Sequence, residues 1–208
     1  MSGTFPSSPV PRHIRVRTHQ PTRVSLSHSL KRQARTRNAQ RWSFVLDFPP
    51  LTRAELQPIF AHVVSQRGEY DTFQWVFPSA MATPLGVGAI GSPTPYADSS
   101  TSSPTENQTG RSIITTGWPV SSTVLKAGDF FKFASHSKVY MARSDILSDS
   151  AGAATLAMEP SAVEAISHGD TIITSSVPFT VALANDVNEF DWDLATIFGL
   201  SLELVEDF

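Results

Sequence analysis

The chain has 208 residues and a net charge of -3; 40% are hydrophobic, 17% are charged, 15 are proline and none is cysteine. That length makes one large or two small domains with a real core, and low charge with much Pro, Ser and Thr favours strands and loops over surface helices. The missing cysteine excludes a disulfide framework, a thiolate nucleophile and a Cys-ligated metal; no apolar run approaches the ~18 residues of a membrane helix, and the N-terminus lacks the apolar core of a secretory signal.

Residues 1–11 hold three prolines and three serines, which predicts an extended arm. Residues 12–18 alternate through Ile14 and Val16, 23–28 through Val24 and Leu26, and 41–47 through Trp42, Phe44 and Leu46. That period predicts three strands with one buried side each.

After Pro49-Pro50 the period changes. Leu56, Ile59, Phe60, Val63 and Val64 follow helical spacing, Thr52 and Glu55 have capping-box spacing, and Gly68 supplies a stop. Pro58 conflicts with a continuous helix, so the expected first turn is short and irregular. Phe73, Trp75 and Phe77 alternate as a further strand, and the aromatic stripe reads as core.

Residues 92–110 carry five Ser, four Thr and three Pro, which predicts a mobile loop dispensable for folding. Short strands are expected at 112–116, 122–126, 129–134, 137–143, 154–158 and 171–174, with a short helix over Pro160–Ser167. Such spacing fits a small barrel or sandwich. Residues 178–183 and 199–205 return to the earlier alternation. The expected organisation is a discontinuous main domain, 1–78 plus 177–208, with 79–176 inserted.

Charge is segregated. Residues 1–41 carry eight Arg and Lys31 with no acid, and 145–208 carry twelve acids with no Lys or Arg. Head and tail can neutralise each other within one domain or meet across a subunit boundary. The basic head also fits nucleic-acid binding, and an acid-free, Arg- and Ser-rich start fits a transit peptide, although the strand pattern argues against the latter.

Chemistry is sparse. Gly86-Val-Gly88-Ala-Ile-Gly91 fits a dinucleotide fingerprint, but Pro93 and Pro95 forbid the helix it needs, so it reads as a flexible loop. The six histidines have no ligand spacing, and His136 beside Lys138 reads as a turn residue. No nucleophile elbow or P-loop occurs. Asp186, Glu189, Asp191 and Asp193 form an acidic cluster that reads as a solvated loop rather than a metal site. Asn107-Gln-Thr109 is a chance sequon. The expectation is no enzyme, no cofactor and no metal.

One stretch is distinctive. Ala127-Gly-Asp-Phe-Phe-Lys-Phe-Ala-Ser-His-Ser-Lys-Val-Tyr140 resembles a segment of the distal tail proteins of long, flexible-tailed bacteriophages, the type with a small barrel inserted into a ring-forming domain. Arg41–Leu46, the Arg67-Gly68 turn, Pro178–Leu183 and Leu200–Leu204 agree in order. The resemblance implies a mostly β fold with one or two short helices: a β-sandwich ring domain carrying a barrel of the oligonucleotide/oligosaccharide-binding (OB) type. It implies a structural virion protein at the tail tip, made in the bacterial cytoplasm and joining the tail tube protein to the hub protein of the tip or baseplate. It also implies a homohexameric ring, with no membrane partner and no specific nucleic-acid binding, through which phage DNA can pass. A ring needs two unlike patches. Arg35 and Arg37 in the head, and Asp191 and Asp193 in the tail, are therefore the subunit-interface candidates. The alternative is a nucleic-acid or carbohydrate binding module, with Phe130, Phe131, Lys132, Phe133, Lys138 and Tyr140 as its surface. Strand alternation puts Phe131 and Phe133 on a core face, with Phe130 and Lys132 on the outer face.

Overall fold

The computed structural model describes residues 3–36, 39–88, 94–98, 107–192 and 198–208. In chain order the elements are β1 (His13–His19), β2 (Thr22–Leu26), β3 (Arg32–Thr36), β4 (Arg41–Asp47), α1 (Arg53–Ser65), β5 (Phe73–Val76), α2 (Ser79–Ala82), β6 (Tyr96–Ala97), β7 (Ser112–Thr116) and β8 (Thr123–Leu125). They continue with β9 (Phe130–Phe133), β10 (Val139–Ala142), β11 (Ile146–Leu147), β12 (Ala154–Glu159), β13 (Ile172–Ile173), β14 (Pro178–Leu183), β15 (Phe190–Trp192) and β16 (Phe198–Glu206). The fold is mostly β, a sandwich-type sheet layer plus a small barrel, and α1 is the one helix of several turns among the described residues. Two compact units emerge: Met1–Gln74 with Val181–Asp207, and Trp75–Thr180 with Phe208. Composition puts the cuts after residues 78 and 176; the contacts put them after Gln74 and Thr180, within β5 and β14.

The first unit is organised by a sheet of order β1-β4-β16-β14-β5, with β15 also paired to β16. Register explains its core. Phe44 pairs with Leu204 and Leu46 with Leu202, so period-two alternation puts these side chains on one face. That face is buried, as are Trp42 and, on α1, Leu56, Ile59 and Val63. Each such side chain contributes about 1.5–3 kcal/mol on leaving water. The opposite face is polar. There Arg17 reaches Glu203 at 2.8 Å, Arg15 lies 3.6 Å from Asp47, and Ser201 donates to Asp47 at 2.7 Å. Arg41 lies 4.0 Å from Asp207. Head and tail charges thus meet partly within one chain, as exposed pairs worth little each.

Helix α1 begins at Arg53 without the irregular first turn expected from Pro58. Pro58 lies near the N-terminal end, where it removes a single i→i−4 bond, and the buried apolar stripe holds the helix together. The Thr52 N–H and hydroxyl both donate to the Glu55 carboxylate, which lowers the Glu55 pKa. Further along, the His62 ring lies edge-on to Phe5 and Phe73. Desolvation lowers its pKa below the ordinary histidine value. Folding therefore favours the neutral ring. The His62 contribution is intact above the ordinary histidine range and is lost as pH falls through and below it. Urea unfolding of wild type and His62→Leu should diverge in pH dependence, wild type losing more stability from pH 7 to 5. Parallel curves would contradict this.

The N-terminal strands depart from the expectation of one buried side each. β1 pairs with β4, yet Val16 stays 38% exposed. β2 pairs with β3, a strand that Arg-Gln-Ala-Arg-Thr does not announce, and every residue of both is exposed. Alternation does make strands here, but among the described residues no second layer covers these faces.

The second unit contains a sheet of order β13-β9-β10-β12-β7-β6. Its ends meet: Tyr96 bridges Thr171, Ala97 N–H donates to Asp170 O at 2.9 Å, and Ile172 N–H donates to Pro95 O at 3.0 Å. The sheet thereby closes into a small barrel. Phe131, Phe133, Tyr140, Ile113, Leu156 and Met158 fill it and have no exposed surface. A ribbon of β8 and β11 accompanies it.

Two expectations fail here, the second in part, for the same reason: backbone pairing with residues far away in the sequence. Pro160–Ser167 is not helical; Ile166 exchanges both backbone hydrogen bonds with Gln108 and is fully buried. The 92–110 stretch is structured at its flanks. Ala97 is fully buried in β6, and the Gln108 side chain donates to Asp98 O and Ile114 O while accepting from Ile114 N–H. Residues 92, 93 and 99–106 lie outside the described residues. Replacing 99–106 by a short Gly-Ser link should leave the Tm within about 2 °C, whereas replacing all of 94–110 should lower it by roughly 10 °C or more, since buried pairing is lost. Equal effects of the two replacements would contradict this division.

Candidate functional site

The Ala127–Tyr140 segment is a turn followed by the hairpin β9–β10. Gly128 has φ +98°, a conformation that suits glycine. The next residue, Asp129, is buried and its carboxylate collects main-chain donors: Leu85 N–H at 2.8 Å, Lys126 N–H at 2.8 Å and Gly86 N–H at 3.1 Å. Its own backbone closes the turn, donating to Lys126 O and accepting from Ala142 N–H. The carboxylate is thus a structural anchor.

The same anchor holds the first glycine of the fingerprint-like motif, Gly86, by its N–H. Val87 N–H donates to Thr123 O and Gly88 N–H to Val124 O, so this stretch runs along β8 instead of forming a flexible loop. A Cβ on Gly86 would lie 2.6 Å from the Val124 carbonyl carbon and 2.7 Å from Leu125 Cα. The glycine is there for close backbone approach. Gly91 lies outside the described residues. Beside the anchor is a pocket of about 170 Å³, lined by Phe77, Met81, Pro84, Leu85, Phe130 and Val177. Asp129, the one charged residue among its described lining, is already committed to the three N–H donors.

The candidate stacking surface does not form. Phe131, Phe133 and Tyr140 have no exposed surface, Lys132 is 6% exposed and Lys138 1%. Phe130 packs against Phe77 and Phe179 at ring separations of 5.4 and 5.6 Å, so the outer face of β9 is covered as well, contrary to the expected surface. Lys138 Nζ lies 4.2 Å from the centre of the Phe208 ring, a cation–π contact. His136 sits in the β9–β10 turn as expected, but buried, with Nδ1 3.0 Å from the Tyr140 hydroxyl. The His-x-Lys-Val-Tyr pattern therefore belongs to the barrel's packing.

Among the described residues no three His, Asp or Glu side chains gather to hold a metal ion. No helix there is long and apolar enough to cross a membrane. The acidic cluster divides. Asp186 Oδ1 accepts from Glu69 N–H at 3.1 Å and fixes the turn after α1. Glu189 and Asp191 are exposed, and Asp191 stands on β15 opposite Gly199. Asp193 and Arg37 lie outside the described residues.

Arg35 stands on β3, directly opposite Arg23 on β2. The stretch from Thr22 to Thr36 holds Arg23, Lys31, Arg32 and Arg35 and no acid. Among the described residues none of these four cations pairs with a carboxylate. Among the described residues the hairpin is paired to no other strand. Sequence reasoning found its charge but missed its exposure, which depends on what fails to pack over it. Comparison with known proteins finds no family model and no curated protein that matches the chain.

Proposed function

We propose that this chain is a structural virion protein of a long, flexible-tailed bacteriophage: a distal tail ring that joins the tail tube to the tip hub. The observation that carries the reading is the Ala127–Tyr140 segment, which resembles distal tail proteins and forms the Asp129-anchored turn and the β9–β10 hairpin. The order of the chain supports it too. One β unit is assembled from both ends of the chain, and a small barrel from the segment between them. The ring would be a hexamer, with the tube and hub proteins as its partners and no reaction to catalyse.

The binding-module reading draws no support from the barrel strands, because the aromatic rings and lysines it needs are packed away. Negative-stain imaging of the purified protein tests the ring. Closed particles with six-fold class averages are expected. Particles of monomer size at every concentration would overturn it.

A further inference from the structure

We propose that the β2–β3 hairpin is a docking arm whose partner is the acidic stretch 186–192 of a second copy of this chain. This rests on the ring reading and assigns its interface. Three observations on the hairpin converge. First, among the described residues it pairs with no third strand, and none of its strand residues is buried. A lone two-stranded hairpin is marginal in water, so a partner surface would stabilise it. Second, Arg23 faces Arg35 across the ladder. Like charges directly opposite repel, and an anionic partner turns that cost into attraction. Third, the other face is partly apolar: the register places Val24 beside Ala34 and Leu26 beside Arg32, with Val24 48% and Leu26 67% exposed.

The third observation chooses the occupant. A phosphate backbone would satisfy the arginines and leave Val24 and Leu26 in water. A protein surface that grips the narrow two-stranded arm, with carboxylates against one face and apolar side chains against the other, satisfies both. The chain itself carries such a surface. Glu189 and Asp191 are exposed and make no ion pair among the described residues, and Phe190 between them is 39% exposed. Nearby Val187 is 81% exposed. Arm and acceptor are different patches, so the contact is heterologous: each copy gives its arm to one neighbour and its acidic stretch to another.

The test is a charge swap read by analytical ultracentrifugation across protein concentration, with imaging of the same samples. Arg23→Glu/Arg35→Glu and Glu189→Lys/Asp191→Lys should each weaken self-association at least about tenfold, because attractions become repulsions. The quadruple variant should recover it, and so should an equimolar mixture of the two double variants. Circular dichroism confirms that each variant is folded, and the recovery excludes a folding defect as the cause. Wild-type association should also weaken as salt rises past about 0.15 M, where screening shortens to ~8 Å. Rings that persist unchanged in both double variants would overturn this interface and leave the ring reading standing. Swap-sensitive assemblies that never close would keep the interface and overturn the ring. A monomer throughout would overturn both, and association of the wild type only with added duplex DNA would make the arm a phosphate-binding element instead.

Discussion

Asp129→Ala should destabilise the barrel unit by about 2–4 kcal/mol, because it strands three main-chain donors that a single carboxylate satisfies. In a unit of this size that is a fall in Tm of more than about 10 °C. Asp129→Asn is the informative companion. Its amide oxygen can still accept, but its NH₂ group would point a donor at a donor, so it should lie between wild type and alanine. The loss should be confined to the barrel transition if the two units unfold separately. An alanine variant within about 0.5 kcal/mol of wild type would mean that water replaces the carboxylate at no cost, and the anchor would lose its assigned role.

Gly86→Ala should cost about 2–3 kcal/mol, although it adds a single methyl group. The atoms in its way are the main chain of Val124 and Leu125. Main chain cannot rotate aside, so residues 85–88 would have to leave β8 and give up the Val87 and Gly88 hydrogen bonds. Truncating the Val124 side chain should therefore bring no relief. Recovery in Gly86→Ala/Val124→Ala would show that the obstruction lies in side-chain packing instead. The measurement is equilibrium unfolding in urea with the midpoint and slope reported separately.

Much of the architecture was legible because it is written in periods. Trp42, Phe44 and Leu46 announce a half-buried strand, and Leu56, Ile59 and Val63 a half-buried helix, and all six are buried. The turn spacing announced a small barrel or sandwich, and the sheet is barrel-like. The misses follow from interactions that no period encodes. β3 has no apolar alternation, and among the described residues its strand partner is β2. β6 is a two-residue strand inside a stretch whose composition reads as loop, and it is a strand because Thr115 and Thr116 of β7 pair with it. Gly86 and Gly88 look like a cofactor motif in one dimension and turn out to be a backbone-to-backbone contact in three. At the candidate interface the charges of Arg35 and Asp191 were legible, but the exposure of Arg23 and Arg35 on an uncovered hairpin was not, since burial is set by distant residues.

The barrel's closure has a kinetic side. Its seam is made by β6 and β13, two residues each, and joins Tyr96 to Thr171, partners far apart in sequence. Across the barrel, Phe131 and Tyr140 pair within a local hairpin. Local pairs form early and cheaply, while long-range closure requires the chain between to be ordered first. The seam is then the last part of the barrel to zip up and the first to breathe. Amide exchange should run faster at Ala97 and Ile172 than at Phe131 and Tyr140, with the reverse order excluding this view. A barrel that opens along one short line can admit transient conformations there while its hairpin stays intact, so the seam, more than the packed interior, sets how long this unit resists proteolysis.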